Sequence, residues 1–84
     1  VEDTMSRESI LDTIISIVRR ELNNENLTFT EDMVATNIDG WDSLTHMSII
    51  TATETHFGVS FSFIEVVSLD KIGDLVSLVL DKIK

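Results

Sequence analysis

Cysteine, proline and tyrosine are all absent from the 84 residues. Without cysteine, neither a disulfide framework nor a thiolate metal site can staple the chain. With no proline, and glycine only at positions 40, 58 and 73, sharp turns are few and helices are favoured. No apolar run approaches the roughly 18 residues of a membrane-spanning helix, and no signal-peptide pattern is visible. The expectation is one small soluble domain over 1–84, cytoplasmic, monomeric and without membrane insertion. Val1-Glu2-Asp3-Thr4 precede Met5, and Met5 is read as the native start, with the four residues before it an appended remnant.

Basic residues are the next scarcity. Residues 21–70 hold nine acids and no Lys or Arg, so this window alone accounts for the formal net charge of −9. Such a surface repels nucleic acid and anionic membranes and attracts basic protein partners. The competing reading is ordinary solubility charge. The two histidines, His46 and His56, are ten apart and match no metal-ligand spacing, so no metal is expected.

What the chain does have is apolar patterning. Hydrophobic residues make up 43%, enough for a compact core. Ile10, Leu11, Ile14, Ile15, Val18 and Leu22 recur at helical spacing and predict an amphipathic helix over roughly 6–22, ended by Asn23-Asn24. Residues 23–41 show no period. Their Leu27, Phe29, Met33, Val34 and Ile38 are expected to pin a long loop onto the bundle. Trp41 reads as that loop's packing anchor, with a partner contact as the alternative.

Gly40-Trp41-Asp42-Ser43-Leu44 is the stretch on which function turns. Gly40 breaks the chain and Asp42 is a strong N-cap, so a helix is expected from Ser43 to Phe57. Ser43 then stands at the positive end of the helix dipole, where an anionic group on its oxygen is favoured. On this helix His46, Ile49, Ile50, Thr53 and Phe57 fall on one side and are assigned to the core. Leu44 and Met47, with Ser48 and Thr51, lie roughly opposite. Beside the hydroxyl they form a small apolar patch that reads either as a docking site or as a face covered by another helix. Gly58 ends the helix. Ser62-Phe63-Ile64-Glu65 matches a capping box and predicts a short helix over 63–67, whose nearly all-round apolarity must be covered or leave a sticky face. Asp70 is expected to cap a last helix over 71–83, with Ile72, Leu75, Val76, Val79, Leu80 and Ile83 as its stripe and Gly73 tolerated at a cost. The fold class is all-α: a small four-helix bundle of three longer helices and a short third, with a long loop between the first two.

Asp42-Ser43-Leu44 at the head of the second helix resembles the Asp-Ser-Leu signature of acyl carrier proteins. The resemblance runs over nearly the whole chain, through Glu54-Thr55-His56-Phe57-Gly58 and the Lys71-Ile72-Gly73-Asp74-Leu75 opening of the last helix. It implies a carrier rather than an enzyme. Ser43 matches the serine that receives 4′-phosphopantetheine from coenzyme A through a phosphopantetheinyl transferase, and the arm's thiol carries an acyl or aminoacyl group as a thioester. The thiol that the chain lacks would thus be supplied by the arm. Asp42 matches the acid that helps the transferase and its Mg²⁺ engage. Leu44 matches a hydrophobic contact with partners, and Met47, Glu54 and Ile64 are the further candidate partner residues. The implied partners are that transferase and the loading and downstream biosynthetic enzymes, docking through basic surfaces. The sequence departs from general fatty-acid carriers in having few acids on its second and third helices, where Thr45, Ser48 and Thr53, and Phe63, Ile64, Val66 and Val67, stand instead. That favours a dedicated carrier for another pathway. Thr53 on the core face and His46 at its mouth argue against a deep fatty-acyl pocket.

Two rivals remain. Ser43 and His46, three apart on a helix, could be neighbours in a hydrolase, but there is no Gly-x-Ser-x-Gly elbow and Asp42 is badly placed to orient the imidazole. His46 reads better as a half-buried residue at a cavity edge, and His56 as a surface residue near the helix end. The stronger rival is a helical interaction module with an acidic surface that is never modified.

Overall fold

The computed structural model describes residues 6–83. The reading of Met5 as the native start lies outside them. Among the described residues the chain is all-helical: α1 (Arg7–Glu21), α2 (Ser43–Phe57), α3 (Phe63–Val67) and α4 (Ile72–Lys82), with one 3₁₀ turn, Ala35–Asn37, inside the long connection. The four-helix bundle expected from the apolar pattern is therefore present.

α1 begins where the Ser6 hydroxyl accepts the Ser9 amide at 3.1 Å. It ends at Leu22, after which Asn23 turns left-handed at φ 54°. Ile10, Ile14, Ile17 and Val18 are buried, with Leu11, Ile15 and Leu22 half-buried. Ile17 is a core residue that the stripe omitted. α1 packs against both α2 and α4, so its buried arc is wider than one stripe describes.

The loop of 23–41 is pinned by Phe29, Ala35, Ile38 and Trp41, which are buried, with Leu27 and Val34 half-buried; Met33, expected among the pinning residues, is instead exposed. The loop also does something that no local pattern announces, which is to cap α4. The Ile72 amide donates to the Met33 carbonyl at 3.0 Å and the Gly73 amide to the Glu31 carbonyl at 2.7 Å. In return Ala35 donates its amide to the Asp70 carbonyl at 2.9 Å, flanking an isolated antiparallel bridge between Val34 and Lys71. Two of the orphan donors of a helix start are thus paired with the loop.

The expected cap of α4 needs correction. Asp70 does not cap it. Asp74, three residues inside, reaches back so that its carboxylate accepts the Lys71 amide at 3.0 Å and the Asp70 amide at 3.1 Å. The Asp70 carbonyl is already paired with Ala35 and its amide is taken by Asp74, which leaves Asp70 upstream of the cap, where Lys71 stands. Gly73 also has a sharper reason than tolerance: a Cβ there would lie 3.1 Å from the Glu31 carbonyl oxygen. Arg7 ties the same corner together, donating to the Glu31 carboxylate, to Ser77 Oγ at 2.9 Å and to the Gly73 carbonyl at 3.3 Å.

The core is completed by Ile49, Ile50 and Thr53 of α2, Val66 of α3, and Ile72, Leu75, Val76 and Val79 of α4. Thr53 is fully buried, and its hydroxyl donates to the Ile49 carbonyl one turn back at 2.7 Å, so its burial leaves no donor unpaired.

Candidate functional site

Two chemical features define the head of α2. Asp42, with extended backbone, is the N-cap: its carboxylate accepts the Thr45 amide and the Thr45 hydroxyl, each at 2.9 Å. The Thr45 amide and then its hydroxyl hold the Asp42 carboxyl below its ordinary value. Ser43, the first helical residue, is exposed. Its hydroxyl therefore stands in solvent beside the free N–H groups of the first turn, a position that favours an attached phosphate on both hydrogen-bonding and dipole grounds.

The approach of the chain to Ser43 is fixed by the residues on either side of the cap. Trp41, just before it, and His46, at the fourth helical position, occupy the places at which a hydrophobic staple sets the angle of a helix start. Here the staple is also a hydrogen bond: Trp41 Nε1 donates to His46 Nδ1 at 3.0 Å, with ring centroids 6.0 Å apart. Because indole nitrogen only donates, Nδ1 must accept, and Nε2 is then the protonated nitrogen. Nε2 lies 3.4 Å from the Val66 carbonyl of α3, to which it can donate. Thus His46 joins the loop, α2 and α3. With both ring nitrogens engaged, it is not paired with the Ser43 hydroxyl, and the geometry gives no support to a Ser-His nucleophile.

Beside Ser43 a cleft of about 330 Å³ opens between α2 and α3, lined among others by Trp41, Asp42, His46, Val66 and Leu69. It is mostly apolar, with the Asp42 carboxylate and Ser43 on its rim. An exposed hydroxyl at a helix start with free space beside it fits a phosphodiester-linked arm.

The candidate partner residues separate into two groups. Leu44 is 79% exposed, Met47 51% and Ile64 69%, and Phe63 and Val67 of α3 are exposed with them. Leu44 and Met47 of α2 are thus left outward, beside Glu21 of α1, and α3 leaves an apolar surface outward, with Val66 its one buried residue. Glu54 is different. It is half-buried, and its carboxylate accepts the Phe61 amide at 2.8 Å, holding the turn after α2. The capping box of α3 is present, with Ser62 and Glu65 exchanging bonds at 2.8 and 3.2 Å. His56 is exposed in the last turn of α2. Among the described residues no group of three or more metal-ligating side chains is assembled, and no helix is long and apolar enough to cross a membrane.

The Trp41–His46–Val66 connection is what sequence reasoning missed. The staple spacing of Trp41 and His46 was a usable signal, whereas the backbone carbonyl of Val66, twenty residues on, left none.

No protein-family model matches the chain, and no curated protein matches it. Solved structures do. A holo acyl carrier protein from Geobacter metallireducens is 36% identical, over 87% of this chain and 84% of that one, with a TM-score of 0.79. A candidate acyl carrier protein from Mycobacterium tuberculosis is 25% identical, over 81% of this chain and 90% of that one, with a TM-score of 0.74. The fold and these likenesses define a small helical carrier domain. The chain belongs to the acyl carrier protein family.

Proposed function

We propose that this chain carries acyl or aminoacyl intermediates as thioesters on a 4′-phosphopantetheine arm joined to Ser43. The observation that carries the reading is the exposed Ser43 hydroxyl at the capped head of α2. Ser43 would hold the arm as a phosphodiester, and the arm supplies the thiol that the chain lacks. Asp42 has two tasks in this reading: it fixes the first turn through Thr45, and it offers a carboxylate at the cleft rim where a transferase and its metal ion would work. The domain acts in the cytoplasm as a monomer that visits enzymes and does no chemistry itself.

The pathway we favour is a dedicated one rather than general fatty-acid synthesis. The outward face of α2 presents Leu44, Met47, Ser48 and Thr51, with Glu54 the one acid after Asp42, and α3 adds Phe63, Ile64 and Val67. Loading and downstream enzymes would therefore grip an apolar patch at Leu44, Met47 and Ile64, with the acidic loop and α4 start as a charged surround. Glu54, engaged with Phe61, would contribute to docking mainly by shaping the end of α2.

The test is a mass measurement after incubation with coenzyme A and a promiscuous phosphopantetheinyl transferase. One added arm on the wild-type chain and none on Ser43→Ala supports the carrier. An unchanged mass with several competent transferases would instead favour an unmodified interaction module that uses the same apolar patch.

A further inference from the structure

α3 has two sides. Val66 and Val67 line the cleft beside Ser43. On the other side a groove of about 520 Å³ runs between α3 and α4. Ile64, Leu69 and Leu78 give it an apolar lining, and Glu65, Asp74 and Asp81 supply its charge. On α4 the spacing is regular. Asp74, Leu78 and Asp81 follow one another at four and three residues, so they share a face, with the two carboxylates about 10 Å apart along the axis. Leu78 is half-buried yet stands outside the core cluster, unlike Ile72, Leu75, Val76 and Val79. It is an apolar side chain that folding leaves without a place in the core.

The charges around Leu78 are mainly of one sign. Lys82 Nζ is engaged by Glu65 at 3.0 Å. Arg7 donates to Ser77 Oγ at the groove and is also bonded to the Glu31 carboxylate. Asp74 and Asp81 have no salt-bridge partner among the described residues. A small-ligand site would aim buried polar groups inward. Here the one buried polar residue described, Thr53, lies elsewhere. An open apolar groove with uncompensated acids is instead complementary to an amphipathic helix with basic flanks.

We propose that this groove docks a basic amphipathic helix of a partner protein, which seats an apolar side chain on Ile64 and Leu78 and sets Lys or Arg one turn to either side, against Asp74 and Asp81. Leu69 is the one residue lining both this groove and the cleft beside Ser43. The docked helix therefore leaves Ser43, Leu44 and Met47 exposed, and a partner held here stays in place while enzymes use that other face. This second surface does not depend on whether Ser43 carries an arm.

The probe is a synthetic helical peptide of Ala, Leu and Lys, with each Leu flanked by Lys one turn before and after it. Binding to the unmodified chain is read by titration calorimetry and by amide shifts in nitrogen-15 spectra. The wild type should bind with a Kd of about 100 μM or tighter, with the largest shifts in 64–69 and 74–81. Leu78→Ser and Asp81→Lys should each weaken binding about fivefold or more. Glu25→Lys changes the net charge equally at an exposed position outside the groove, and should weaken it less than about twofold. If Leu78→Ser does not fold, Asp81→Lys carries the test, because Asp81 is exposed and a cation suits the last turn of α4. Equal weakening by Asp81→Lys and Glu25→Lys would mean diffuse attraction to an acidic protein and overturns the proposal. So do shifts centred on Leu44 and Met47, equal binding of a peptide with Glu in place of Lys, or no binding by the wild type at all.

Discussion

Trp41 Nε1 donates a hydrogen bond to His46 Nδ1 at 3.0 Å across the first turn of α2. The bond fixes the imidazole tautomer and, with it, the direction of the remaining N–H toward Val66 on α3. A loop residue and a helix residue five positions apart thereby link α2, which Ser43 heads, to α3.

The first prediction concerns that tautomer. Nitrogen-15 spectra of the neutral imidazole should show His46 as the Nε2–H form, with Nδ1 unprotonated. Trp41→Phe should lower stability by about 1 kcal/mol, a fall in Tm of roughly 4–8 °C for a domain of this size. An Nδ1–H tautomer in the wild type would contradict the geometry.

Gly73 is the second. Alanine there gains helix propensity, worth about 0.8–1 kcal/mol at most. Against this, its Cβ would crowd the Glu31 carbonyl oxygen at 3.1 Å. That carbonyl cannot retreat freely, because it accepts the Gly73 amide at 2.7 Å and its side chain is held by Arg7. Overpacking of this kind costs about 1–3 kcal/mol, so Gly73→Ala should be net destabilising in urea titrations, by about 1 kcal/mol. A midpoint at or above that of the wild type would show that the loop yields.

The acid response follows from the capping carboxylates. The Lys71 and Asp70 amides hold the Asp74 carboxyl below its ordinary value of 3.8, and the Thr45 amide and hydroxyl do the same for Asp42. For Glu65, normally 4.5, the Ser62 amide leads, followed by Lys82, whose Nζ lies 3.0 Å away. A depressed folded-state value means that the unfolded chain binds protons first as pH falls. The stabilisation is therefore fully present above the ordinary carboxylate range and is lost as pH drops through the lower folded values. The contribution of these three carboxylates to the melting temperature should be constant above about pH 5 and decline below it. Asp74→Asn should melt lower at neutral pH and show a shallower acid decline, and an unchanged decline would remove Asp74 from this account.

The apolar face supplies the fourth. Leu44→Ser and Met47→Ser alter exposed side chains and should change stability by no more than about 0.5 kcal/mol. In the carrier reading they should weaken docking to a partner enzyme by about tenfold or more each, as central apolar contacts do. Because the one acid on that face of α2 after Asp42 is Glu54, whose carboxylate is engaged with the Phe61 amide, the remaining affinity should vary only weakly with salt. A steep loss of affinity with salt, measured by titration calorimetry, would move the main recognition surface to the acidic loop.

Much of this was readable without coordinates because it is local. The Asp42 cap, the Gly58 stop, the Ser62–Glu65 box and the stripe of α4 each depend on residues within one or two turns, where spacing and side-chain chemistry decide the outcome. The presented serine belongs to the same class, since a cap followed by the first helical residue fixes its position on the helix. The breadth of the buried arc of α1 was not local, and Ile17 was missed because the arc is set by packing on two helices. Asp70 was misassigned for a related reason: the Ala35 amide, thirty-five residues away, takes its carbonyl, and the Asp74 carboxylate takes its amide.

The chain's own order of residues determined where helices start and stop, which hydroxyl heads α2, and that Leu44 and Met47 lie off its core stripe; that they stay uncovered was decided by the tertiary structure. Tertiary structure alone decided that the long loop caps α4, that Gly73 must be small beneath the Glu31 carbonyl, and that His46 spans from Trp41 to Val66. The division has a physical cause. Caps and amphipathic stripes are short-range matches between a side chain and the backbone or solvent beside it. Loop-to-helix hydrogen bonds and close backbone approaches exist only after distant segments have been brought together by burial of their apolar residues.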